Sequence, residues 1–280
     1  MVSGRIIPVA KEKCVIVCGS SGYIGTNLVA HLLEKSEATV LGIDLSQNGL
    51  KSEKFVEFAG SVLNLEFLND VSLWVRDSNF ELAGIVTCMA RKEFNNSAED
   101  YAIKLKSKFP GITERTLKLL AAWVEYPTEE ALSALEVNCL GANNVVSSQL
   151  ENLLAAESSS VVHVSSQYGM KPPRQELFEN SEKFSYKPFA YSISKAALNM
   201  LSEYQASIFS GTNVRVNTIS PGAIFQNHSK QFQEKYSEQT WSKSMLQVED
   251  IIQPIEFLLS SSSNYINGAN LMVDGGWSRF

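Results

Sequence analysis

Tyr191 and Lys195 stand four residues apart in a segment of helical periodicity, Ala190–Phe209, so their side chains share one helix face. A free phenol ionises only near pH ~10. An ammonium one turn away stabilises the phenolate and brings the group into range for proton transfer at neutral pH. Such a pair suits proton exchange with a hydroxyl or carbonyl oxygen. Ser166 follows the apolar run Ser160–Ser165 and is placed to hydrogen-bond that oxygen. Asn138 lies midway along a long helical segment and is read as helping to hold Lys195 and a relaying water. A Tyr-x-x-x-Lys spacing also arises by chance on exposed helices, so the reading rests on Asn138, Ser166, Tyr191 and Lys195 together.

A proton centre of this kind needs a partner for the electrons. Val15-Ile16-Val17-Cys18 reads as a buried strand and runs straight into Gly19-Ser20-Ser21-Gly22-Tyr23-Ile24-Gly25, which opens a helix. Gly19 lets the chain reverse, Gly22 lets backbone approach a pyrophosphate, and Gly25 lets helix and strand pack closely. Asp44 closes the next strand, Thr39–Ile43, 19 residues beyond Gly25. A carboxylate there accepts hydrogen bonds from both adenosine ribose hydroxyls and repels a 2′-phosphate. The first basic residue after it is Lys51, so NAD is favoured over NADP. The candidate dinucleotide contacts are Gly19, Ser21, Gly22, Tyr23, Ile24, Gly25, Asp44, Leu45, Val62 and Ala90, with Tyr191 and Lys195 at the reacting end.

Apolar runs suited to buried parallel strands alternate with helical segments. Strands are expected at Cys14–Cys18, Thr39–Ile43, Phe55–Ala59, Gly84–Met89, Ser160–Ser165, Asn213–Ile219 and Asn270–Val273. Helices are expected near Ile24–Lys35, Leu65–Ser78, Thr128–Glu157, Ala190–Phe209 and Val248–Ser260. This alternation implies right-handed crossovers and an α/β, doubly wound parallel sheet of about seven strands, a single Rossmann fold spanning residues 1–280. Residues 1–12 read as a loose leader. Two segments look inserted on the substrate side. Residues 91–127 hold helix-prone Ala98–Lys108 and Thr113–Trp123, and residues 170–188 form a proline-containing loop. Long loops at the carboxyl ends of such strands are where substrates are held, and surface decoration or a subunit contact is the alternative for each.

Composition narrows the function classes. A net charge of −6 with no basic run argues against a nucleic-acid surface. No apolar run reaches the ~20 residues that cross a bilayer, and the four cysteines (Cys14, Cys18, Cys88, Cys139) lack metal-ligand spacing. Reduced thiols in a cytoplasmic protein, with no metal, are the expectation.

These residues resemble the short-chain dehydrogenase/reductase family over nearly the whole chain. Asn138, Ser166, Tyr191 and Lys195 match that family's catalytic tetrad one by one. Asn217-Thr218-Ile219-Ser220-Pro221-Gly222 resembles its segment beside the nicotinamide, which adds Pro221, Gly222 and Ile224 to the expected cofactor contacts. Asn267-Gly268 through Val273-Asp274-Gly275-Gly276 is similar to its last strand. The resemblance implies NAD(P)-linked hydride transfer and a homodimer or homotetramer built on the helices carrying Asn138 and Tyr191. More narrowly, Ser165-Ser166-Gln167-Tyr168-Gly169, Ser220 through Ile224 followed by Asn227, and Tyr265-Ile266-Asn267-Gly268 through Gly276-Trp277 are similar to sugar-modifying members of flagellin-modification and legionaminic acid pathways.

Three departures from the family pattern stand out. The glycines are spaced as in sugar-nucleotide epimerases, Thr87-Cys88-Met89-Ala90 replaces an Asn-Asn-Ala-Gly stretch, and Ser61 stands where many members carry aspartate. Ser166 and Tyr191 are also 25 residues apart, a wide gap that the loop insertion explains. The expected activity is interconversion of a secondary alcohol and a ketone on a sugar or amino-sugar derivative of surface-glycan (nonulosonate) biosynthesis. An NAD-retaining epimerase or dehydratase and a non-catalytic dinucleotide sensor are the alternatives. Arg91, Lys92, Lys171 and Arg174 are candidate contacts for a substrate phosphate or carboxylate, and Gln226 and Asn227 for sugar hydroxyls.

Overall fold

The computed structural model describes residues 11–91, 94–95, 97–178 and 184–279. In chain order its elements are β1 (Glu12–Cys18), α1 (Tyr23–Lys35), β2 (Thr39–Asp44), β3 (Phe55–Ala59), α2 (Leu65–Asp77) and β4 (Phe80–Thr87). Then follow α3 (Glu99–Lys108), α4 (Glu114–Val124), α5 (Thr128–Leu135), a single π-helical turn (Glu136–Leu140), α6 (Gly141–Ser148), α7 (Leu150–Ala155) and β5 (Ser159–Val164). The chain continues through α8 (Phe189–Ile208), β6 (Val214–Pro221), α9 (Lys230–Glu238), α10 (Glu249–Leu259) and β7 (Asn270–Val273). Glu12, expected in the leader, already pairs with Phe80 in the sheet; residues 1–10 of that leader lie outside the described residues.

The seven strands form one parallel sheet in the order β3-β2-β1-β4-β5-β6-β7. Strand alternation sorts the core into two layers. Cys14, Ile16 and Cys18 face one side with Leu68, Val71 and Val75 of α2, Val145 and Val146 of α6, and Leu153 of α7. Val15 and Val17 face the other with Leu28, Val29 and Leu32 of α1 and Ile251, Ile252, Ile255 and Leu258 of α10. Strand order reverses between β1 and β4, which opens a crevice at their carboxyl ends.

Two differences from the sequence reading have a clear packing origin. β4 starts four residues earlier than Gly84, because Leu82 is fully buried and a bulge opposite Cys14 and Val15 absorbs Ala83. The segment Thr128–Glu157 is not one helix: it opens into the π turn around Asn138 and breaks again at Gln149. A wide turn of this kind recurs at functional sites, because it shifts side chains off the regular helical ladder.

The β1–α1 junction depends on glycine packing. A methyl group at Gly25 would lie 1.9 Å from the Gly19 carbonyl oxygen, a clash with backbone that no rotamer relieves. Gly25→Ala should therefore cost about 2 kcal/mol or more, roughly 3–4 °C in thermal midpoint for a chain of this length. Gly111, with open space around it, should tolerate alanine within error.

Behind the sheet, His163 of β5 is fully buried between Thr87 Oγ1 at 2.7 Å and Gln205 Oε1 at 2.8 Å. Burial, helped by the nearby Lys195 charge and opposed by the Gln205 bond, pushes its pKa down to about 4. The unfolded chain protonates this histidine near pH ~6.5. Its contribution is thus complete above that pH and is lost as pH falls toward 4. Chemical denaturation between pH 7 and 4 should show a steeper stability loss in wild type than in His163→Gln, by up to ~1.4 kcal/mol per pH unit.

Candidate active site

The crevice at the strand reversal has two halves. Over β1 and β2, a cleft of about 500 Å³ is lined by Gly19, Ser21, Gly22, Asp44, Leu45, Ser61, Val62, Ala90 and Arg91, among others. Gly19 has φ of 85° and passes so close to the segment leaving β4 that a Cβ would sit 2.6 Å from Met89 N. Gly22 begins α1 without a side-chain cap, which leaves the first N–H groups of the helix for an anion. Asp44 braces the turn: its Oδ2 accepts from Ser21 N–H at 3.0 Å and its Oδ1 from Leu45 N–H at 2.7 Å. Ser46 N–H also reaches Oδ1 at 3.4 Å, and with about four acceptor sites on a carboxylate capacity remains for a hydroxyl. Cys88, in the replaced Asn-Asn-Ala-Gly stretch, ties β4 to β1 by donating both N–H (2.9 Å) and thiol (3.1 Å) to the Cys18 carbonyl.

The second cleft, also of about 500 Å³, lies over β5 and β6. Its walls include Ile24, Ser166, Tyr191, Lys195, Pro221, Gly222 and Ile224, and it shares Cys88 and Ala90 with the first. Lys195 is buried, and its Nζ donates to the Val164 carbonyl at 2.8 Å. Desolvation lowers its pKa to about 8. An ammonium has three donors, so two are left for hydroxyls of a bound molecule. Ser166 Oγ accepts from Tyr168 N–H at 3.1 Å, which leaves its own proton to donate. These features, a glycine cradle, a carboxylate and a buried ammonium along one crevice, fit a dinucleotide.

The Asn138 side chain is bonded on both of its polar atoms. Its Oδ1 accepts from Arg91 N–H at 2.8 Å and its Nδ2 donates to Ser194 Oγ at 2.9 Å, so it grips the neighbour of Lys195 rather than the ammonium. Tyr23 and Gly25 line neither cleft; the Tyr23 hydroxyl reaches the Phe225 carbonyl at 3.4 Å, and Gly25 packs on Gly19. Arg91 is ion-paired with Glu130 at 2.7 Å, Arg174 lies 5.6 Å from the Trp277 ring centre, and exposed Lys171 stands outside the cleft walls. Gln226 lines the cleft, whereas Asn227, with φ of 53°, is not among its walls. Lys92 lies outside the described residues.

Gln167, Tyr168, Phe178, Lys187, His228 and Phe232 also line the second cleft, although none stands out in the sequence as a candidate contact. Only Lys187 carried a usable signal, standing four residues before Tyr191 as Lys195 stands four after. Helix α9, which brings Phe232, is short, and its apolar stripe is only the pair Phe232 and Tyr236 within the otherwise polar Lys230–Glu238.

Comparison with known proteins agrees with this geometry. The family model described as enoyl-(acyl carrier protein) reductase matches residues 110–278. Post-translational flagellin modification protein A of Campylobacter coli is 30% identical over 273 residues, covering 95% of this chain and 98% of that protein. The NADH-dependent L-xylulose reductase of Ambrosiozyma monospora is 24% identical over 278 residues, 94% of each chain. Among solved structures, a short chain dehydrogenase from Leptospira borgpetersenii with bound NAD+ superposes with a TM-score of 0.79 at 22% identity, over 99% of both chains. With a family match over more than half its length and a near full-length relative, the chain belongs to the short-chain dehydrogenase/reductase family of oxidoreductases.

Proposed function

We propose that the protein is an NAD-linked oxidoreductase that interconverts a secondary alcohol and a ketone on a sugar-derived substrate, with Tyr191 as acid–base group. The observation that carries this reading is the meeting of Ser166, Tyr191 and Lys195 in one cleft that shares Cys88 and Ala90 with the glycine-turn cleft. When bound, the nicotinamide takes up or returns the hydride. Ser166 donates a hydrogen bond to the reacting oxygen. Tyr191 removes the hydroxyl proton in oxidation and returns it in reduction. The Lys195 ammonium, held on Val164, supplies positive charge beside the phenolate and donors for ribose hydroxyls. Asn138 keeps the first turns of α8 in register through Ser194.

The sugar class draws support from the cleft wall and from relatives. Tyr168, Phe178 and Phe232 present rings, while Gln167, Gln226 and His228 present polar groups. Rings cover the C–H face of a sugar and amides meet its hydroxyls. One relative is named for flagellin modification and another for L-xylulose reduction, and a place in surface-glycan synthesis follows that first name. Pairing of two copies through α8 is supported by Met200, Tyr204 and Ile208, spaced four apart and each about 60% exposed.

Nicotinamide absorbance with NAD and a panel of sugars, sugar phosphates and nucleotide sugars tests the reaction. Turnover should appear with one class, and Tyr191→Phe should lose it by about 10²–10⁴-fold while still binding NADH in a fluorescence titration. Full activity in Tyr191→Phe would refute the assignment.

The carboxylate of Asp44 should set the coenzyme choice. Wild type should bind NAD at least about tenfold more tightly than NADP, since a 2′-phosphate would face Asp44. Asp44→Ser should narrow that ratio and weaken NAD. An unchanged ratio would show that Asp44 only braces the turn.

A further inference from the structure

We propose that His228 is a specificity-determining residue: its imidazole, held to the backbone through Nδ1, donates from Nε2–H to an acceptor oxygen of the substrate. The proposal rests on the sugar-substrate reading put forward above and deepens it. It names what the substrate must carry where it meets the wall built by α9: a hydroxyl or carbonyl oxygen, beside carbon that packs on the Phe232 ring.

The tautomer follows from one hydrogen bond. Gln226 N–H donates to His228 Nδ1 at 3.1 Å, and a ring nitrogen that accepts needs its lone pair. The neutral ring therefore carries its hydrogen on Nε2. A charged imidazolium would have to give up the Gln226 bond. Burial, the chief cause, lowers the pKa of His228, in line with a neutral ring at neutral pH.

Packing fixes where the ring lies. It stacks on Phe232, with centres 4.9 Å and planes 23° apart, and the Phe225 ring centre is 6.4 Å away. Phe232 in turn stacks on Tyr236 at 6.2 Å. The backbone is tied down as well. Gln233 Nε2 donates to the His228 carbonyl at 2.7 Å, and Ser229 Oγ caps α9 by accepting from Phe232 N–H at 3.2 Å. Asn227, just before, sits in the left-handed region with φ of 53°, where asparagine is among the better tolerated side chains. Backbone held in such a region collects at ligand sites.

With Nδ1 engaged, Nε2 is the polar atom left to the cleft. It has no hydrogen-bond partner among the described residues, and His228 shares the cleft wall with Ser166 and Tyr191. No carboxylate lines that cleft among the described residues, so no acid there competes for the N–H. The ring stack is also joined to the reacting end. Tyr236, its last member, donates to Gln167 Oε1 at 2.9 Å, and Gln167 directly follows Ser166. A ring surface beside a single N–H suits a sugar, whose C–H groups meet the rings while an oxygen accepts. A molecule without that oxygen leaves the donor unpaired when it displaces water, which is how a hydrogen-bonding site rejects a close analogue.

NMR of protein labelled at the histidine ring nitrogens reads the tautomer directly, with His228→Phe identifying the His228 signals among three histidines. At neutral pH the ring should be uncharged, with its hydrogen on Nε2. The probes are D-glucose, N-acetyl-D-glucosamine, a glucose phosphate and UDP-glucose, each added with NADH to Tyr191→Phe so that complexes form without turnover. One of them should move the Nε2 signal of His228 and leave Nδ1 in place. His228→Phe, which keeps the stack and removes the donor, should bind that probe about tenfold more weakly, with NADH affinity unchanged by fluorescence. His228→Gln, which keeps an N–H donor, should recover most of the loss, and it assigns the signals should the Phe variant not fold. In enzyme with Tyr191 intact the same change should appear in KM and not in kcat. A hydrogen found on Nδ1, an Nε2 signal unmoved by all four probes, or a fall in kcat at constant KM overturns the proposal. Turnover of a probe that leaves Nε2 unmoved sinks the His228 contact alone and keeps the sugar reading. Full activity in Tyr191→Phe would sink the acid–base reading separately, since binding to His228 needs no chemistry.

Discussion

The Lys195 ammonium, 3% exposed beneath the floor of the crevice, is the constraint around which the rest is arranged. A buried cation is costly unless its protons find acceptors and its neighbours carry no competing charge. Val164 at the end of β5 supplies the acceptor. Two ionisable groups beside it stay neutral for the same reason of burial: His163 is pushed down to about 4 and the Cys88 thiol up to about 12. To hold the ammonium there, α8 must lie hard against the exit of β5. Ser165 Oγ donates to the Lys195 carbonyl at 3.1 Å, and a side chain at Gly169 would come within 2.9 Å of the Lys195 backbone. The turn carrying Ser166 is thereby set against the helix carrying Tyr191.

The exits of β4 and β5 and the helices beside them are then tied to one another. The π turn lets Asn138 reach both Arg91 N–H, just past β4, and Ser194 on α8. Tyr236 of α9 accepts from Ala223 N–H at 2.8 Å and donates to Gln167 Oε1 at 2.9 Å, which joins the segment after β6 to the turn after β5. Ser166 at the exit of β5 and Tyr191 and Lys195 on α8 are thus held against one another by contacts between rigid elements. Oxidoreductase chemistry demands this, because proton and hydride donors displaced by an ångström lose most of their rate.

Both insertions are structural parts of this arrangement. Phe94, Tyr126 and Phe189 form a chain of edge contacts, with ring centres 6.1 and 5.1 Å apart, that seats the first against the start of α8. Arg115 and Gln175 join the first to the second. Among the described residues no helix is long and apolar enough to cross a membrane.

Much of this was legible in the residues themselves. Continuous apolar strands alternating with amphipathic helices allow a buried parallel sheet, and the glycine turn with Asp44 and the Tyr191–Lys195 pair mark its two functional ends. Those signals are local, since they depend on backbone period and on residues within a turn or two of one another. What the tertiary structure alone decided lies between distant segments: the break of the Asn138 helix, the partner of Asn138, the early start of β4 at Phe80, and the cleft wall of Gln167, Phe178, Lys187, His228 and Phe232. Apart from the four-residue spacing of Lys187 and Tyr191, none of these has a periodic signature, because each arises from packing between segments distant in the chain. A sequence can state which groups are able to do the chemistry. Which of them face one another is settled only when the strand exits and the inserted loops close on the same space.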